Sequence, residues 1–398
     1  FKQKTAYEIP KRDWSSDVCS SDLVHCRQVA SWLLSRKGVD VKFQALPWGD
    51  TPWILDTNFC DGLIGKIMEN TVDVSSGQQG AYDVTLQLQL PNEWDKNIGK
   101  FNVGLTAGVE TDICHADWVH ACNKMDLVIV PSNHTAVCLK SSGELKKPLH
   151  VVPESFCQDI LDVTQKEVDV FPTLNTKFNF LVFGQFTGDN PFNDRKNIFF
   201  TLKWLFETFK DDQDVGIILK TNVGRNTMID KRRTQEIVNV IKSECRRGSA
   251  FPKIHVLHGE LSNKEIAALY RHPQVKALVT ATRGEGYGLP ILEAAESGLP
   301  VIATGWSGHT DFLNHGKYIN LDYQLSNVHH SRVDGSIFVP NSKWAEVKEE
   351  DFKKKVKKFR DSPTMPQSWA SDLSKVLKEK YSPSAINAHY DAVLGDLL

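Results

Sequence analysis

Short apolar runs alternate with segments of helical periodicity along most of the chain, and the alternation is most regular in the C-terminal half. Apolar runs of this kind are typical of buried parallel strands. Strands are predicted at 178–186, 215–221, 253–258, 276–281 and 301–304, and helices at 194–209, 230–244, 263–270 and 289–297. This repeated order predicts a parallel sheet with helices on both faces, whose ligands bind at the carboxyl ends of the strands.

The N-terminal half contains the same kinds of element at less regular spacing. Residues 82–90 alternate apolar and polar side chains, as a half-buried strand does. Further strands are predicted at 39–46, 100–107, 126–131 and 149–153, and helices at 24–37, 116–124 and 133–141. The stretch 154–176 has no strong pattern and is the predicted linker. We therefore predict an α/β chain with two doubly wound domains, at 24–160 and 161–342, followed by a helical tail.

The predicted tail, residues 343–398, is charged and helical in pattern, with Pro363 and Pro366 as expected breaks. At the other end, residues 1–23 resemble a translated sequencing adapter: FKQKTAYEI and RDWSSDVCSSDL flank Pro10 and Lys11, where a sample index would lie. A polar, disordered leader is the alternative. We treat the segment as an artefact that is not native and exclude it from fold reasoning.

Without residues 1–23, the first domain begins directly with a helix. A doubly wound domain begins with a strand and a tight loop before its first helix. The helix predicted at 24–37 has neither in front of it once residues 1–23 are set aside. The sequence therefore predicts that the N-terminal domain is truncated and lacks its first strand.

A glycine-rich loop at 284–288 lies between a predicted strand and a predicted helix. Pro290 stands in the first turn of that helix, where its missing N–H costs nothing. The unpaired N–H groups at such a helix start, together with the helix dipole, attract a diphosphate. Glycine also lets the backbone approach a ligand closely. The segment is therefore a candidate binding site for a diphosphate.

Two glutamates accompany this loop: Glu285 lies within it and Glu293 lies one turn into the helix. Each could accept hydrogen bonds from sugar hydroxyls, although each taken singly is more simply a solvated charge. The joint pattern is more specific. Glu285, GYGLP at 286–290 and EAAESGLPVIA at 293–303 resemble the E-x7-E signature of retaining GT-B glycosyltransferases, in the large group known as family 4.

This resemblance implies that Glu285 contacts the transferred sugar and that Glu293 holds the ribose hydroxyls of the donor. The backbone amides that it assigns to the diphosphate belong to Gly286, Tyr287, Gly288 and Leu289. It also implies a GT-B fold with two Rossmann-like domains facing a cleft, retention at the anomeric carbon, and no bound metal or other cofactor besides the nucleotide sugar as co-substrate.

A second match lies at the start of the C-terminal domain. VFGQF at 182–186, followed by DRKNI at 194–198, resembles the strand and the Arg/Lys pair of the same family. Arg195 and Lys196 would stabilise the charge that develops on the departing diphosphate. The alternative is an exposed basic turn at a helix start, which the helix dipole disfavours. Lys220 is a weaker candidate of the same type, and the insert 187–193 leaves open which cation does what.

The N-terminal half gives a third and looser match, so the resemblance covers about residues 80–313. GLTAGVETD at 104–112 and DLVIVPS at 126–132 resemble the acceptor domain of these transferases. Glu110 and Asp112 would then face the cleft as acceptor-side candidates. A helix start capped by Thr111 or Asp112 is the alternative.

Composition narrows the functional class further. The 398 residues are 41% hydrophobic and 24% charged, with a net charge of −2, so nothing indicates a nucleic-acid partner. Eight scattered cysteines and the absence of an apolar leader or spanning segment predict a reduced, cytoplasmic protein. Tryptophans such as Trp32, Trp48 and Trp53 could touch a membrane surface, but packing in a core or pocket is the favoured interpretation.

Together these patterns predict transfer of a sugar from a nucleoside diphosphate sugar to an acceptor hydroxyl on a glycan, a lipid or another molecule. Two alternatives use the same scaffold. One is a sugar-nucleotide epimerase, which would need a different acidic set. The other is a non-catalytic protein that binds nucleotide sugars or glycans, and a missing glutamate or cation would favour it.

Overall fold

The computed structural model describes residues 3–9, 21–45, 57–72, 82–169, 174–224, 226–246 and 249–398. Its first half forms a six-stranded sheet in which neighbouring strands are parallel, in the order β2-β1-β3-β4-β5-β6. In chain order the elements are β1 (Gln3–Ile9), α1 (Ser21–Ser35), β2 (Val39–Ala45), α2 (Leu63–Glu69), β3 (Tyr82–Leu88), β4 (Gly99–Leu105), α3 (Ala116–Cys122), β5 (Leu127–Val130), α4 (Asn133–Ser142) and β6 (Leu149–Val151).

The position expected to lack a strand is occupied. Strand β1 lies between β2 and β3 and runs parallel to both, with Gln3 opposite Val39 and Thr5 opposite Val84. The expectation that the sheet of this chain lacks a first strand is therefore wrong. The truncation of the native domain at residue 24 stays a prediction. Without β1, the facing edges of β2 and β3 would leave backbone N–H and C=O groups unpaired inside the sheet, which is costly. The pairing of β1 does not test where residues 1–23 come from, so their adapter-like origin stays a prediction.

The second half forms another six-stranded sheet of parallel neighbours, in the order β12-β11-β10-β7-β8-β9. The elements are α5 (Gln165–Val168), β7 (Phe178–Phe183), α6 (Ile198–Thr208), β8 (Val215–Thr221), α7 (Met228–Arg246), β9 (Lys253–His258), α8 (Asn263–Arg271), β10 (Val275–Thr280), α9 (Leu289–Glu296), β11 (Val301–Thr304), α10 (Thr310–Leu313) and β12 (Ile319–Leu321). The expected pair of Rossmann-like domains is confirmed.

The strand order of the second sheet reverses between β7 and β10. After β7 the chain adds β8 and β9 on one side, and it then returns to add β10, β11 and β12 on the other. The loops that leave the carboxyl ends of β7 and β10 therefore diverge and open a crevice between them, which is where open α/β sheets bind ligands. The residues after these two strands are those that the sequence singled out.

The last part of the chain differs from its prediction. An antiparallel pair, β13 (Tyr323–Asn327) and β14 (Lys343–Val347), precedes α11 (Glu349–Asp361), α12 (Thr364–Lys380) and α13 (Pro383–Leu394). The tail predicted as helical from 343 thus begins with a strand, because Trp344 and Ala345 are buried there. Pro363 precedes α12 as expected, whereas Pro366 lies in the first turn of that helix, where proline is tolerated.

The final helix returns to the first domain. The hydroxyl of Tyr390 on α13 lies 2.7 Å from Nε2 of His25 on α1, and Nε1 of Trp32 donates a hydrogen bond of 2.8 Å to Asp391. Trp32 is buried against Tyr390, which confirms packing as its role; Trp48 and Trp53 lie outside the described residues. Within the described ranges, no helix combines the length and apolar character needed to cross a membrane.

Candidate functional site

The predicted glycine-rich loop follows β10 and leads into α9, as expected. Gly288 has φ +98°, a left-handed conformation that glycine adopts readily, and α9 begins at the next residue with Pro290 in its first turn. The loop backbone is held by the segment after β11. The N–H of Glu285 donates to Ser307 Oγ at 2.9 Å, and the N–H of Gly308 donates to the carbonyl of Glu285 at 2.9 Å.

Glu285 and both predicted cations converge on one point of the crevice. Nζ of Lys196 lies 2.7 Å and 2.9 Å from the two carboxylate oxygens, Nη1 of Arg195 lies 3.3 Å from one of them, and Thr282 Oγ1 donates to the other at 2.8 Å. Burial by itself would raise the pKa of Glu285, but Lys196 and Arg195 outweigh it and lower that pKa to about 2. The site therefore holds an ionised carboxylate between two cations.

The turn before α6 positions these cations. The buried carboxylate of Asp194 accepts hydrogen bonds from the N–H and hydroxyl of Thr187 and, at 2.7 Å, from the N–H of Ile198. This side chain takes up the first free N–H of the helix, so α6 begins at Ile198 and not at the predicted residue 194. The alternative of an exposed basic helix turn is wrong, because the side chains of Arg195 and Lys196 are only 14% and 19% exposed.

Glu293 differs from Glu285 in its protonation. It lies on α9 and is partly exposed, yet burial raises its pKa to about 8, aided by the charge of Glu296 and opposed by a hydrogen bond from the N–H of Cys157. At neutral pH this carboxyl is therefore mostly protonated and can donate as well as accept a hydrogen bond. Cys157 lies in the linker, so Glu293 faces the junction of the two domains.

Tyr287 anchors the loop through its side chain. Its hydroxyl donates a hydrogen bond of 2.6 Å to the carbonyl of Glu154 in the linker, and its buried ring packs at 5.4 Å from Phe312. Gly286 faces the first domain instead, because its carbonyl accepts a hydrogen bond of 2.7 Å from Ser132 Oγ at the start of α4. The loop is thus in direct contact with the N-terminal domain and the linker.

The two acceptor-side candidates have different surroundings. A carboxylate oxygen of Glu110 lies 3.6 Å from Nη2 of Arg195, so Glu110 faces the cleft. Asp112 accepts a hydrogen bond of 2.6 Å from the N–H of Lys343 and returns one of 3.0 Å through its own N–H, which links it to β14. The alternative of a helix start at this point is wrong, because α3 begins at residue 116 behind a cap from His115.

Lys220, the weaker cation candidate, is buried at the carboxyl end of β8. Its Nζ donates to Asn222 Oδ1 at 2.8 Å and to the carbonyl of Gly259 at 2.7 Å. These bonds use two of its three ammonium protons and tie together the ends of β8 and β9. A contact between Lys220 and the donor stays a prediction.

Sequence reasoning missed a hydrogen-bonded chain behind Glu285. Ser307 Oγ lies 3.3 Å from Nδ1 of the buried His309, whose Nε2 donates to the carbonyl of Thr304 at 2.7 Å. Burial lowers the pKa of His309, so its ring is neutral near pH 7. The signal was available in the segment GWSGHT, because it follows β11 and the carboxyl ends of parallel neighbours meet at one sheet edge.

Arg283 is a second residue that the sequence did not single out. Its buried guanidinium forms two bonds with Glu346 on β14, of 2.7 Å and 3.0 Å, and donates to the carbonyl of Asp194 at 2.6 Å. It therefore joins the β10 loop, the β13–β14 pair and the turn that carries the two cations. Its only sequence signal was its place directly before the glycine-rich loop.

Comparison with known proteins gives one family match and several structural likenesses. The model of the family described as "Glycosyl transferases group 1" matches residues 251–371, a region that contains the Glu285 loop and Glu293. Among curated proteins there is no match.

Three solved structures illustrate the structural likeness. Sucrose-phosphate synthase from Thermosynechococcus elongatus is 12% identical, with a TM-score of 0.66 over 99% of each chain. The HepE protein of Anabaena, solved with UDP and glucose, is 14% identical, with a TM-score of 0.60 over 99% of this chain and 100% of its own. WaaG, a glycosyltransferase involved in lipopolysaccharide biosynthesis, is 13% identical, with a TM-score of 0.62 over 98% of this chain and 100% of its own.

These likenesses extend over both domains, and at such low identity they establish the fold. The chain has the GT-B-like architecture of two Rossmann-like domains that face a cleft, as the resemblance implied. The family match is confined to the C-terminal part and agrees with the E-x7-E resemblance there.

Proposed function

We propose that this protein is a glycosyltransferase that moves a sugar from a nucleoside diphosphate sugar to an acceptor hydroxyl, with retention at the anomeric carbon. The observation that carries this proposal is the convergence of Lys196 and Arg195 on Glu285 beside the start of α9, in the crevice between β7 and β10. A carboxylate, two cations and a helix start in one crevice match the needs of a sugar joined to a diphosphate.

The donor diphosphate would lie against the N–H groups at the start of α9. As the bond between sugar and phosphate breaks, the diphosphate gains negative charge, and Arg195 and Lys196 would stabilise it from fixed positions. Because these two side chains supply positive charge next to the leaving diphosphate, we propose that the reaction needs no bound metal. In the free protein these cations are paired with Glu285, so donor binding would redistribute them between this carboxylate and the phosphates.

The two glutamates would bind different parts of the donor. Ionised Glu285 can only accept hydrogen bonds, which suits sugar hydroxyls, whereas Glu293 can also donate one to a ribose oxygen. Glu110 approaches Arg195 from the opposite domain and would border the acceptor. We infer that an oxygen of the departing diphosphate takes the acceptor proton, since both ring nitrogens of His309 are already hydrogen-bonded.

A thermal-shift panel on the full chain tests donor binding. UDP, GDP, ADP and their glucose and mannose derivatives are compared with the matching nucleosides. Nucleotides that carry one of the three bases should raise the melting temperature, and the others should not. A ligand at about 100 times its Kd stabilises the native state by about 2.7 kcal/mol. A folded protein that responds to none of these nucleotides would contradict the proposal.

Turnover separates an enzyme from a binding protein. The stabilising nucleotide sugar is incubated with a mixture of glycan acceptors, and release of the nucleoside diphosphate is followed by chromatography. Replacing both Arg195 and Lys196 by alanine should slow release more than it weakens donor binding, because their charge matters most in the transition state. Donor binding without release would support the non-catalytic alternative, and an inverted product anomer would contradict retention.

A further inference from the structure

The segment between β13 and β14 forms an ordered loop beside the crevice. An apolar cluster supports it, and the three N–H groups of Ser336, Ile337 and Phe338 donate to the Asp334 carboxylate at 2.9, 2.8 and 3.0 Å. The members of that cluster are Val328, Phe338 and Trp344, with Trp306, Val333 and Ile337 packed against them. This packing and these hydrogen bonds stabilise the observed conformation of the loop.

The same loop is fastened to both domains at the mouth of the crevice. Ser331 Oγ accepts a hydrogen bond of 2.9 Å from Asn193, two residues before Arg195 in the turn that carries the cations. At the end of the loop, the N–H of Lys343 donates to the carboxylate of Asp112 in the first domain, and the N–H of Asp112 donates to the carbonyl of Lys343. The loop therefore lies over the point where Arg195 meets the N-terminal domain.

Arg332 is the cation that this loop brings to the crevice. Its guanidinium lies 4.6 Å from the ring centre of Phe338 and is half-buried. In the part of the chain that the structure describes, its Nε is buried without a hydrogen-bond partner, and no carboxylate forms an ion pair with it. Burial lowers the pKa of Arg332, and the positive charge of Arg195 lowers it further, against the weaker opposing influence of Glu110, Asp334 and Asp194.

This arrangement is unfavourable in the free protein. Arg195 already has Glu285 and Glu110 as counter-ions, whereas Arg332 is partly desolvated, repelled by Arg195 and without an ion-pair partner in the described chain. An oxyanion placed between the two arginines would remove both costs. A phosphate suits this position because it carries more than one charge and offers several acceptor oxygens to two guanidinium forks.

We propose that Arg332 binds a phosphate group of a substrate together with Arg195. The proposal rests on the proposed function, since it assigns Arg332 to the same site. The phosphate has two potential sources, the diphosphate of the donor and a phosphate carried by the acceptor. Either source makes the β13–β14 loop a determinant of substrate choice, a role that none of the sequence motifs indicated.

The test measures affinities by calorimetry on the full chain for wild type, Arg332→Gln and Arg332→Lys. Arg360→Gln is the matched control, because Arg360 also stacks on a phenylalanine, with its guanidinium 4.9 Å from the ring centre of Phe178. Arg360 lies beside Asp212 and Asp214 at the amino ends of the strands, away from the crevice. The donor probes are UDP, GDP and ADP with their monophosphates. The acceptor-side probes are inorganic phosphate and glucose 6-phosphate, each added to nucleotide-loaded protein.

Arg332→Gln should weaken binding of the probe whose phosphate contacts Arg332 by about 10- to 100-fold, the scale of one charge-assisted hydrogen-bond pair. Arg332→Lys should recover part of the loss, and Arg360→Gln should bind like wild type. A loss for diphosphates but not monophosphates assigns Arg332 to the donor. A loss confined to the probes added to loaded protein assigns it to the acceptor.

Equal affinities of wild type and Arg332→Gln for every phosphate probe would overturn the assignment. Failure of the proposed function gives a different result, namely a wild-type protein that binds no nucleoside diphosphate. Thermal unfolding of each variant shows whether a loss of binding reflects a loss of folding. An Arg332→Gln protein that keeps its melting temperature but loses phosphate affinity excludes a merely structural role in packing on Phe338.

Discussion

The ammonium nitrogen of Lys196 lies 2.7 Å from one carboxylate oxygen of Glu285 and 2.9 Å from the other, although 89 positions separate these residues in the chain. The Glu285 side chain is only 7% exposed, so its charge depends on this partner and on Arg195. The free site thus carries its own internal counter-ions. Energetic coupling between Lys196 and Glu285 follows directly from this geometry.

Replacing Lys196 by methionine should therefore destabilise the protein by about 3 kcal/mol, because it leaves a buried carboxylate with less compensation. Combining it with Glu285→Gln should recover part of that loss and give a coupling energy above about 1 kcal/mol in a double-mutant cycle. Urea unfolding measures both quantities. The exposed pair Lys375 and Asp372 is the control and should couple by less than about 0.5 kcal/mol. Equal coupling in the two pairs would contradict the structure.

Glu293→Gln should change stability in a pH-dependent manner. The pKa of Glu293 rises from 4.5 to about 8 on folding, so between these values the native state binds more protons than the unfolded state. The free energy of unfolding therefore falls as the pH rises through this window, because ionisation of Glu293 is less favourable in the folded state. The variant should match wild type below about pH 4.5 and exceed it near pH 8, by a few kcal/mol at most.

Nucleotide affinity should move in the opposite direction in the same variant. If Glu293 holds the ribose, Glu293→Gln should weaken nucleotide binding by about 1–3 kcal/mol, the scale of one hydrogen bond to a charged or strongly polar group. Urea unfolding at several pH values and calorimetry with the stabilising nucleotide measure the two effects. Glu379→Gln, on the exposed face of α12, serves as control. A stability difference that does not vary with pH would contradict the raised pKa.

Gly284→Ala should separate the two domains at the cleft. A methyl group at this position would collide with the carbonyl oxygen of Glu110, a backbone atom of the other domain that has little freedom to move. We expect a loss of about 1–3 kcal/mol in stability and an increase in the radius of gyration measured by X-ray scattering. Gly395→Ala should have neither effect, because its nearest neighbour is the guanidinium of Arg36 at 3.8 Å. Unchanged scattering from the Gly284 variant would argue against the direct contact.

Acid should weaken the junction between α1 and α13. Burial lowers the pKa of His25 from 6.5 to about 4, so the unfolded state binds more protons between these values and stability falls as the pH falls through them. In His25→Gln, the loss of stability on acidification should be smaller by on the order of 3 kcal/mol. The acid-induced loss that comes from His134, whose pKa is also lowered to about 4, should remain in this variant. Unfolding curves at pH 7 and pH 4.5 measure the difference, with the exposed His389→Gln as control.

The regular elements of the second domain could be predicted from the sequence. The strand predicted at 215–221 is β8, and the helix predicted at 289–297 differs from α9 by one residue. Hydrophobic periodicity and turn residues are local properties, so they are visible without a structure. The same holds for the loop that carries Glu285, because a glycine-rich turn before a helix start is read from adjacent residues.

Predictions were less accurate where a residue's partner lies in another element. Asp112 was expected to face the cleft or to cap a helix, and it binds the backbone of Lys343. Helix α6 begins four residues after its predicted start, because the Asp194 carboxylate lies outside the helix and accepts the N–H of Ile198, its first residue. The adapter-like sequence of residues 3–9 gives no reason to expect a strand there. The strand forms because it pairs with the edges of β2 and β3, which are distant in the chain.

The α/β architecture, the loop that carries Glu285 and the residue types available for a sugar and a diphosphate could all be predicted without coordinates, since these features depend on neighbours along the chain. Which charged side chains contact one another follows from the folded structure. It pairs Glu285 with Lys196, raises the pKa of Glu293 by burial, and places Arg332 against Phe338 without an ion-pair partner in the described residues. This is so because pKa values and ion pairs depend on burial and on distances between elements, which are established only when the chain folds.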